Sequence, residues 1–324
     1  MKIILFYQNL FEFSLGIRKS FIPRFKGISR RLYNSLAKRH RKNGRTNIYI
    51  KLVVEGKYLI VNTTHQFPFT ISQNKLYSTN LPRLCKYVSE KYPAVTVIDV
   101  GANIGDTVFL IKQEVDCEIL SIEGNKDYIS LLECNNKQYK NVATENCLVG
   151  SEDGKEVVKA ISDGFGTTYF IREEGEGVET KGAEFKTLET IISSYPKFKD
   201  FKILKIDTDG YDCEIIRGNI NYIAVKRPII FFEYAPPWLP NGKDSEISIF
   251  SDMCNIGYEH FIFYSGQGEL LYSISKDENF IHNIIVAHQF IARGRRFGDV
   301  IAFSKYDKDL FLNTLSSEFK FMRN

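Results

Sequence analysis

From Val95 onward the chain alternates between apolar runs of strand length and stretches with helical spacing. VTVIDV at 95–100 leads into a helical 106–114. EILSIE at 118–123 leads into 125–139, where Ile129, Leu132 and Cys134 recur at helical intervals. VATENCLVG at 142–150 reads as a third strand. FKILKID at 201–207 precedes a helix from Tyr211 to Arg217, and RPIIFFEY at 227–234 precedes another near 245–256. Single helices between strands build βαβ units and a parallel sheet. FIFYS and ELLYSI then fit a hairpin around Gly266-Gln267-Gly268, and DVIAFS at 299–304 is the last strong strand. Thr187 fits the cap of a helix reaching Tyr195, and the glycine-rich stretch 151–186 reads as a loop or a small antiparallel insert.

Upstream, IYIKLVVEGKYLIV at 48–61 reads as a hairpin around Glu55-Gly56, and a helix begins at Asn80-Leu81-Pro82. The chain thus divides into 1–94 and a domain from 95 to 324. Between Phe13 and Val54 stand 12 Lys and Arg and no Asp or Glu, leaving 31 basic against 39 acidic residues elsewhere. A solvated helix face or loose tail accounts for such an arm. The sharper expectation is contact of residues 1–46 with anionic lipid headgroups. No nucleic-acid reader motif accompanies the charge. No apolar run is long enough to span a bilayer, no signal-peptide pattern opens the chain, and six scattered cysteines without a CxxC fit a reduced, cytoplasmic setting. The expected location is cytoplasmic, with a peripheral place at the inner face of the membrane if the arm binds lipid. Oligomeric state is not legible.

The turn after the first strand, Asp99-Val-Gly101-Ala-Asn103-Ile-Gly105, narrows the ligand. A triphosphate needs GxxxxGK[ST] and a dinucleotide GxGxxG; the spacing here is GxxxG. S-adenosylmethionine has a cationic sulfonium and an amino-acid tail, so bare backbone at the glycines and a carboxylate at Asp99 suit it. A structural turn with Asp99 as a helix cap is the plainer alternative. Glu123 ends the second strand 24 residues after Asp99, where a carboxylate can accept both ribose hydroxyls. Leu148, near the end of the third strand, is placed against an adenine.

Two further acids end later strands. Asp207, in LKIDTDGYD, lies at the carboxyl edge of the fourth, and Glu233, in IIFFEYAPP, at the edge of the fifth. Burial would raise the pKa of Glu233 and suit it to general-base work, unless Lys205 neutralises it. Asp207-Thr208-Asp209 also matches the DxD with which glycosyltransferases hold a metal and a nucleotide diphosphate. Capping and turn formation are an equal account of Asp209 and Asp212.

Taken together, IDVGANIGDT (98–107), Glu123 with Asn125, NCLVGSEDG (146–154), KTLETII (186–192), LKIDTDGYDCEIIRG (204–218) and FFEYAPPW (231–238) resemble the FkbM family of S-adenosylmethionine-dependent methyltransferases over roughly 95–304. Gly124 stands where related sequences usually carry Pro. The resemblance implies the α/β class I methyltransferase fold, a Rossmann-like seven-stranded, mostly parallel sheet with its last strand antiparallel. It implies that Asp99, Gly101, Asn103, Gly105 and Glu123 line the cofactor pocket. It implies methyl transfer to a hydroxyl of a sugar, a glycan or a secondary metabolite. The hydroxyl must lose its proton, and Asp207 and Glu233 are both candidates for the base. A divalent metal at Asp207 and Asp209 stays open. Within 1–94, the hairpin at 48–61 and the segment from His65 to Tyr77 are expected to cover the active site or help bind the acceptor, with residues 1–46 near a membrane-borne glycan intermediate. The rival reading is a metal-dependent glycosyltransferase built on Asp207-Thr208-Asp209.

Overall fold

The computed structural model describes residues 49–156, 158–162, 166, 168–172, 183–236, 244–293 and 297–323. The basic arm, with its expected lipid contact at 1–46, lies outside the described residues, as do Gly164, Gly175, Gly177 and Gly182 of the insert.

The central sheet has eight strands. Their chain order is β3 (Thr96–Val100), β4 (Glu118–Ile122), β5 (Val142–Glu145), β11 (Ile203–Ile206), β12 (Ile229–Tyr234), β13 (Tyr258–Ser265), β14 (Leu270–Ser275) and β15 (Gly298–Ser304). Across the sheet they run β14-β13-β15-β12-β11-β3-β4-β5. Neighbours among β12, β11, β3, β4 and β5 pair parallel. β15 is antiparallel to both β12 and β13. This is the expected class I methyltransferase sheet, enlarged by one strand: the β13–β14 hairpin adds β14 at the edge.

The inner strands are covered on both faces, which is why they read as nearly unbroken apolar runs. One face, carrying Ile98, Leu120, Leu204, Ile230 and Phe232, packs on α5 (Leu188–Ser193), α6 (Asp212–Gly218), α8 (Asp244–Asn255) and α9 (Phe280–Arg293). The other, carrying Val97, Ile119, Ile203, Phe231 and Ile301, packs on α2 (Asn80–Lys91), α3 (Asp106–Glu114) and α10 (Lys308–Arg323). Arg83 of α2 and Glu318 of α10 form a buried bidentate pair at 2.7 and 2.8 Å, and Tyr87 donates to the same carboxylate. All six cysteines are free.

Residues 49–94 share a core with the domain rather than building their own. β1 (Tyr49–Val54) and β2 (Lys57–Asn62) pair around Glu55 and Gly56, both left-handed, as a two-residue hairpin turn requires. Ile50, Leu52, Leu59 and Val61 pack with Ile104 and Phe109. α4 (Lys126–Asn136) holds the hairpin edge: Asn135 Oδ1 accepts from Ile60 N and its Nδ2 donates to Ile60 O. A short α1 (Phe67–Gln73) follows the hairpin, with Pro68 in its first turn. Sequence spacing missed α1, α9, α10 and α7 (Ile220–Lys226).

The strand expected over 142–150 is broken. After β5, Asn146 Nδ2 donates to Glu123 O, and the chain turns into β6 (Leu148–Val149). β6 pairs with β10 (Ala183–Lys186), which also pairs with β7 (Gly154–Glu156). β8 (Val158–Ser162) and β9 (Thr168–Arg172) form a separate antiparallel ribbon. The pairs within 151–186 are therefore antiparallel, whereas β10 joins β6 in parallel, and the insert stands over the carboxyl edge of the main sheet.

Candidate functional site

A cleft opens at the carboxyl ends of β3, β4 and β11, where ligands bind in open α/β sheets. Its walls include Gly101, Asn103, Glu123, Tyr128, Leu148 and Asp207, with Val158, Thr168 and Phe185 from the insert. Glu123 is 8% exposed. Its Oε2 accepts from Asn103 N at 2.8 Å and its Oε1 from Asn125 N at 2.7 Å. Each oxygen keeps a further lone pair for a ligand. Burial raises the Glu123 pKa, and the two backbone donors work against that rise.

Asn103 adopts a left-handed backbone, rare for a residue with a side chain. Every polar group of that side chain is engaged. Its Nδ2 donates to Gly166 O at 2.6 Å, and its Oδ1 faces His65 Nε2 at 3.4 Å. His65 Nδ1 accepts from Phe67 N, which leaves the proton on Nε2 to be donated to Asn103. Asp209 is the second left-handed non-glycine residue at this edge; its Oδ2 accepts from Thr168 N at 3.0 Å. Tyr128 Oη and Thr168 Oγ1 are 3.1 Å apart. The insert is thus tied down from three sides.

The expected pocket residues separate into two groups. Gly101, Asn103, Glu123, Leu148 and Asp207 line the cleft; Asp99 and Gly105 do not. Asp99 was expected to answer the cofactor's charge, but it is 0% exposed and paired with Lys205 at 3.0 Å. Parallel register sets Asp99 beside Lys205 on one sheet face, and a buried carboxylate takes the nearest cation. Lys205 Nζ also donates to Gly101 O at 2.9 Å and lies 3.6 Å from Asp207 Oδ2. Burial opposes its charge, but Asp99 and Asp207 outweigh burial and raise its pKa. Lys205 therefore serves Asp99 and not Glu233.

Gly105 begins α3 with a left-handed φ, and a Cβ there would press on Leu132 and Asn136. Its requirement is helix packing. At Gly101 a Cβ would collide with the Asp207 carbonyl, so the first glycine is demanded by the neighbouring strand end. Gly124 likewise leaves room for Leu148, which a side chain there would strike.

Beyond Asp207 the edge turns acidic. Glu233 and Asp299 are register partners on β12 and β15. Asp212 Oδ1 accepts from Glu233 N, while its Oδ2 accepts from both Thr208 N and Thr208 Oγ1. Burial pushes Asp106, Asp212 and Asp299 each up to about 7. Glu233 is raised well above the usual carboxylate range by burial, and then by Asp207, Asp212, Asp209 and Asp299. Its Oε2 is buried without a hydrogen-bond partner. Asn80 Nδ2 donates to Asp299 Oδ2 at 2.6 Å, and Tyr77 reaches the same group of acids from the segment between α1 and α2. Asp106, Asp299 and Asn80 escaped the sequence reading as site residues, whereas Tyr77 ends the segment expected to cover the site. The one signal available was that Asp299 opens a strong strand. Among the described residues no group of three or more His, Cys, Asp or Glu is arranged to hold a metal.

The FkbM methyltransferase domain profile matches residues 99–260, half of the chain. A search of curated protein sequences found no match. Among solved structures, the methyltransferase FkbM from Methylobacillus flagellatus KT aligns at a TM-score of 0.34 and 15% identity, over 50% of this chain and 36% of that one. The METTL16 MTase domain aligns at 0.41 and 9% identity, over 79% and 71%. The precorrin-6y C5,15-methyltransferase from Geobacter metallireducens GS-15 aligns at 0.34 and 12% identity, over 70% and 86%.

Proposed function

We propose that this chain, which belongs to the FkbM methyltransferase family, is an S-adenosylmethionine-dependent O-methyltransferase acting on a hydroxyl of a sugar, a glycan or a secondary metabolite. The observation that carries the reading is the position of Asp207. It lines the cleft that Glu123 closes at the other end, and it also belongs to the acid cluster beside that cleft. A two-substrate transfer needs such a shared boundary.

The residues present fit the cofactor. Glu123 has lone pairs left for a ribose diol, and Val100, Ile122, Leu148 and Ile215 offer apolar walls to an adenine. When bound, S-adenosylmethionine supplies an electrophilic methyl group on a cationic sulfur, which the acids at the Asp207 end of the cleft favour electrostatically. The chain's own task is to hold the acceptor oxygen in line with that methyl group and to exclude water; alignment of this kind supplies much of the rate. The insert, tied through Asn103, Tyr128 and Asp209, supplies the cover.

The acceptor proton passes to a carboxylate at the strand edge. The Asp207 side chain is 47% exposed and sits on the cleft wall, so it is the first acceptor. Glu233, raised well above the usual carboxylate range by burial and by its acidic neighbours, is the alternative acceptor, in its ionised form. Tyr77, Asn80 and His65 support a role for residues 65–80 in covering the acceptor. The polysaccharide setting and a cytoplasmic location belong to the same proposal. Among the described residues no helix is long and apolar enough to cross a membrane.

Calorimetric titration with S-adenosylhomocysteine, beside a nucleotide sugar with Mn²⁺, tests the reading. Micromolar binding of the former, lost in Glu123→Ala, is expected. No response to it together with a response to the nucleotide sugar would replace methyl transfer with glycosyl transfer at Asp207-Thr208-Asp209.

A further inference from the structure

The hairpin that precedes the domain ends beside the cofactor turn. After β2, His65 N donates to Asn62 O, and Asn62 Oδ1 accepts from Thr64 N and Thr64 Oγ1, so the chain reverses tightly. Phe67, 2% exposed, then packs in one cluster with Ile104 and Phe109. From the other side Asn135 Nδ2 donates to both Ile60 O and Ile104 O, at 2.9 and 2.7 Å. One clamp thus holds the hairpin and the residue after Asn103, and His65 is carried on it.

Three segments meet at the His65 ring. Its Nε2 lies 3.4 Å from Asn103 Oδ1. A Cβ at Gly166 would come within 2.5, 2.8 and 2.9 Å of Nε2, Cε1 and Cδ2, so the backbone of the insert lies directly against the ring. Asn103 Nδ2 donates to Gly166 O at 2.6 Å, and Asn103 N donates to Glu123 Oε2. An amide side chain turned end for end keeps its shape and exchanges donor for acceptor. Here His65 settles which end faces the insert. Phe67 N occupies Nδ1, the proton stands on Nε2, and that N–H requires an oxygen opposite it. Turned about, Asn103 would set Nδ2 against the N–H and Oδ1 against the Gly166 carbonyl, and both bonds would be lost.

We infer that His65 is a positioning residue for cofactor retention: through Asn103 it latches the insert over the cleft that Glu123 anchors. The inference rests on the reading of that cleft as the S-adenosylmethionine site. The other ties of the insert run from Thr168 to Asp209 and Tyr128; His65 governs the end at Gly166. His65 precedes the 99–260 stretch that the family profile matches, so the latch belongs to the added hairpin. Segment 65–80 thereby touches both ends of the site, with His65 at the cofactor turn and Tyr77 and Asn80 among the acids.

The test is the dissociation rate of S-adenosylhomocysteine, measured by surface plasmon resonance on the full chain, beside hydrogen–deuterium exchange of β8 and β9 in the bound protein. His65→Phe keeps a ring against Gly166 and removes the donor. His65→Gln puts an N–H donor back where Nε2 stands. Gly166→Ala reaches the latch from the insert and leaves the hairpin intact, in case His65→Phe impairs folding. Loss of one hydrogen bond predicts dissociation about fivefold faster in His65→Phe, faster exchange in β8 and β9, and restoration by His65→Gln. Gly166→Ala is expected to match His65→Phe. A rate unchanged in both overturns the inference. Acceleration by His65→Phe that His65→Gln fails to reverse also overturns it, and leaves His65 as packing for the hairpin. A wild-type chain that does not bind S-adenosylhomocysteine overturns the cofactor reading beneath it, whereas binding with unchanged rates overturns the latch alone.

Discussion

The two ends of the carboxyl edge treat their acids differently. At the β3–β4 end, Glu123 has two backbone N–H donors and Asp99 has Lys205. At the β12–β15 end, Glu233, Asp299 and Asp212 crowd together around a cation already engaged by Asp99. At the first end Glu123 is held by two backbone donors before any ligand arrives, as a preorganised cofactor cradle requires, and Asp99 is neutralised by its cation although both its oxygens lack a hydrogen bond. The second favours the neutral form of its buried acids and leaves the exposed Asp207 facing the cleft, where an acceptor hydroxyl can be met.

The largest expected effect breaks the first end. Lys205→Met leaves Asp99 buried and unpaired, a loss of about 3–5 kcal/mol for one partner of a buried pair. Urea denaturation measures it. A variant that kept its stability but lost ligand affinity would move the pair from scaffold to site. Next comes Glu123→Ala, expected to weaken S-adenosylhomocysteine about 100-fold, or about 2.7 kcal/mol, by removing charge-assisted bonds. An affinity unchanged by calorimetry would remove Glu123 from the cradle.

The acid end is sharpened by pH. The Asp299 carboxyl is held near 7 in the folded state against about 3.9 unfolded. The unfolded chain gives up its proton first as pH rises. Stability from this group is therefore intact below about pH 4, falls through the interval, and is fully lost above about pH 7. Asp299→Asn removes the penalty while its amide oxygen still accepts from Asn80. Its unfolding free energy should exceed wild type by more at pH 8 than at pH 4, by about 1–2 kcal/mol once neighbouring acids relax. An equal difference at both values would mean that Asp299 is not strained. The smallest effect tests the insert. Asp209→Gly keeps the left-handed backbone and removes the acceptor for Thr168 N, a loss of about 1 kcal/mol. Faster proteolytic nicking within 158–172 is expected, with global stability nearly unchanged.

How far the sequence could be read varied by site. The GxxxG turn and the acid ending β4 were legible because they are local: a strand end, a tight turn and a residue one strand later. The roles of Asp99 and Gly105 were not. Their constraints come from Lys205, Leu132 and Asn136, brought near only by register and helix packing. Asp299 was invisible for the same reason, lying 66 positions beyond Glu233 in sequence and directly opposite it in the sheet. The 142–150 run misled because its β-propensity continues across a change of sheet.

By itself the sequence determined the alternating βαβ order, the carboxyl edge as the place of the site, and Glu123 as a cleft acid. Period and turn chemistry are properties of neighbours along the chain. Only the tertiary structure decided which acids face a ligand and which face a lysine. It also decided that His65 meets the Asn103 side chain. Those outcomes depend on what parallel register and packing place within a few ångströms, and no spacing along the chain encodes that distance.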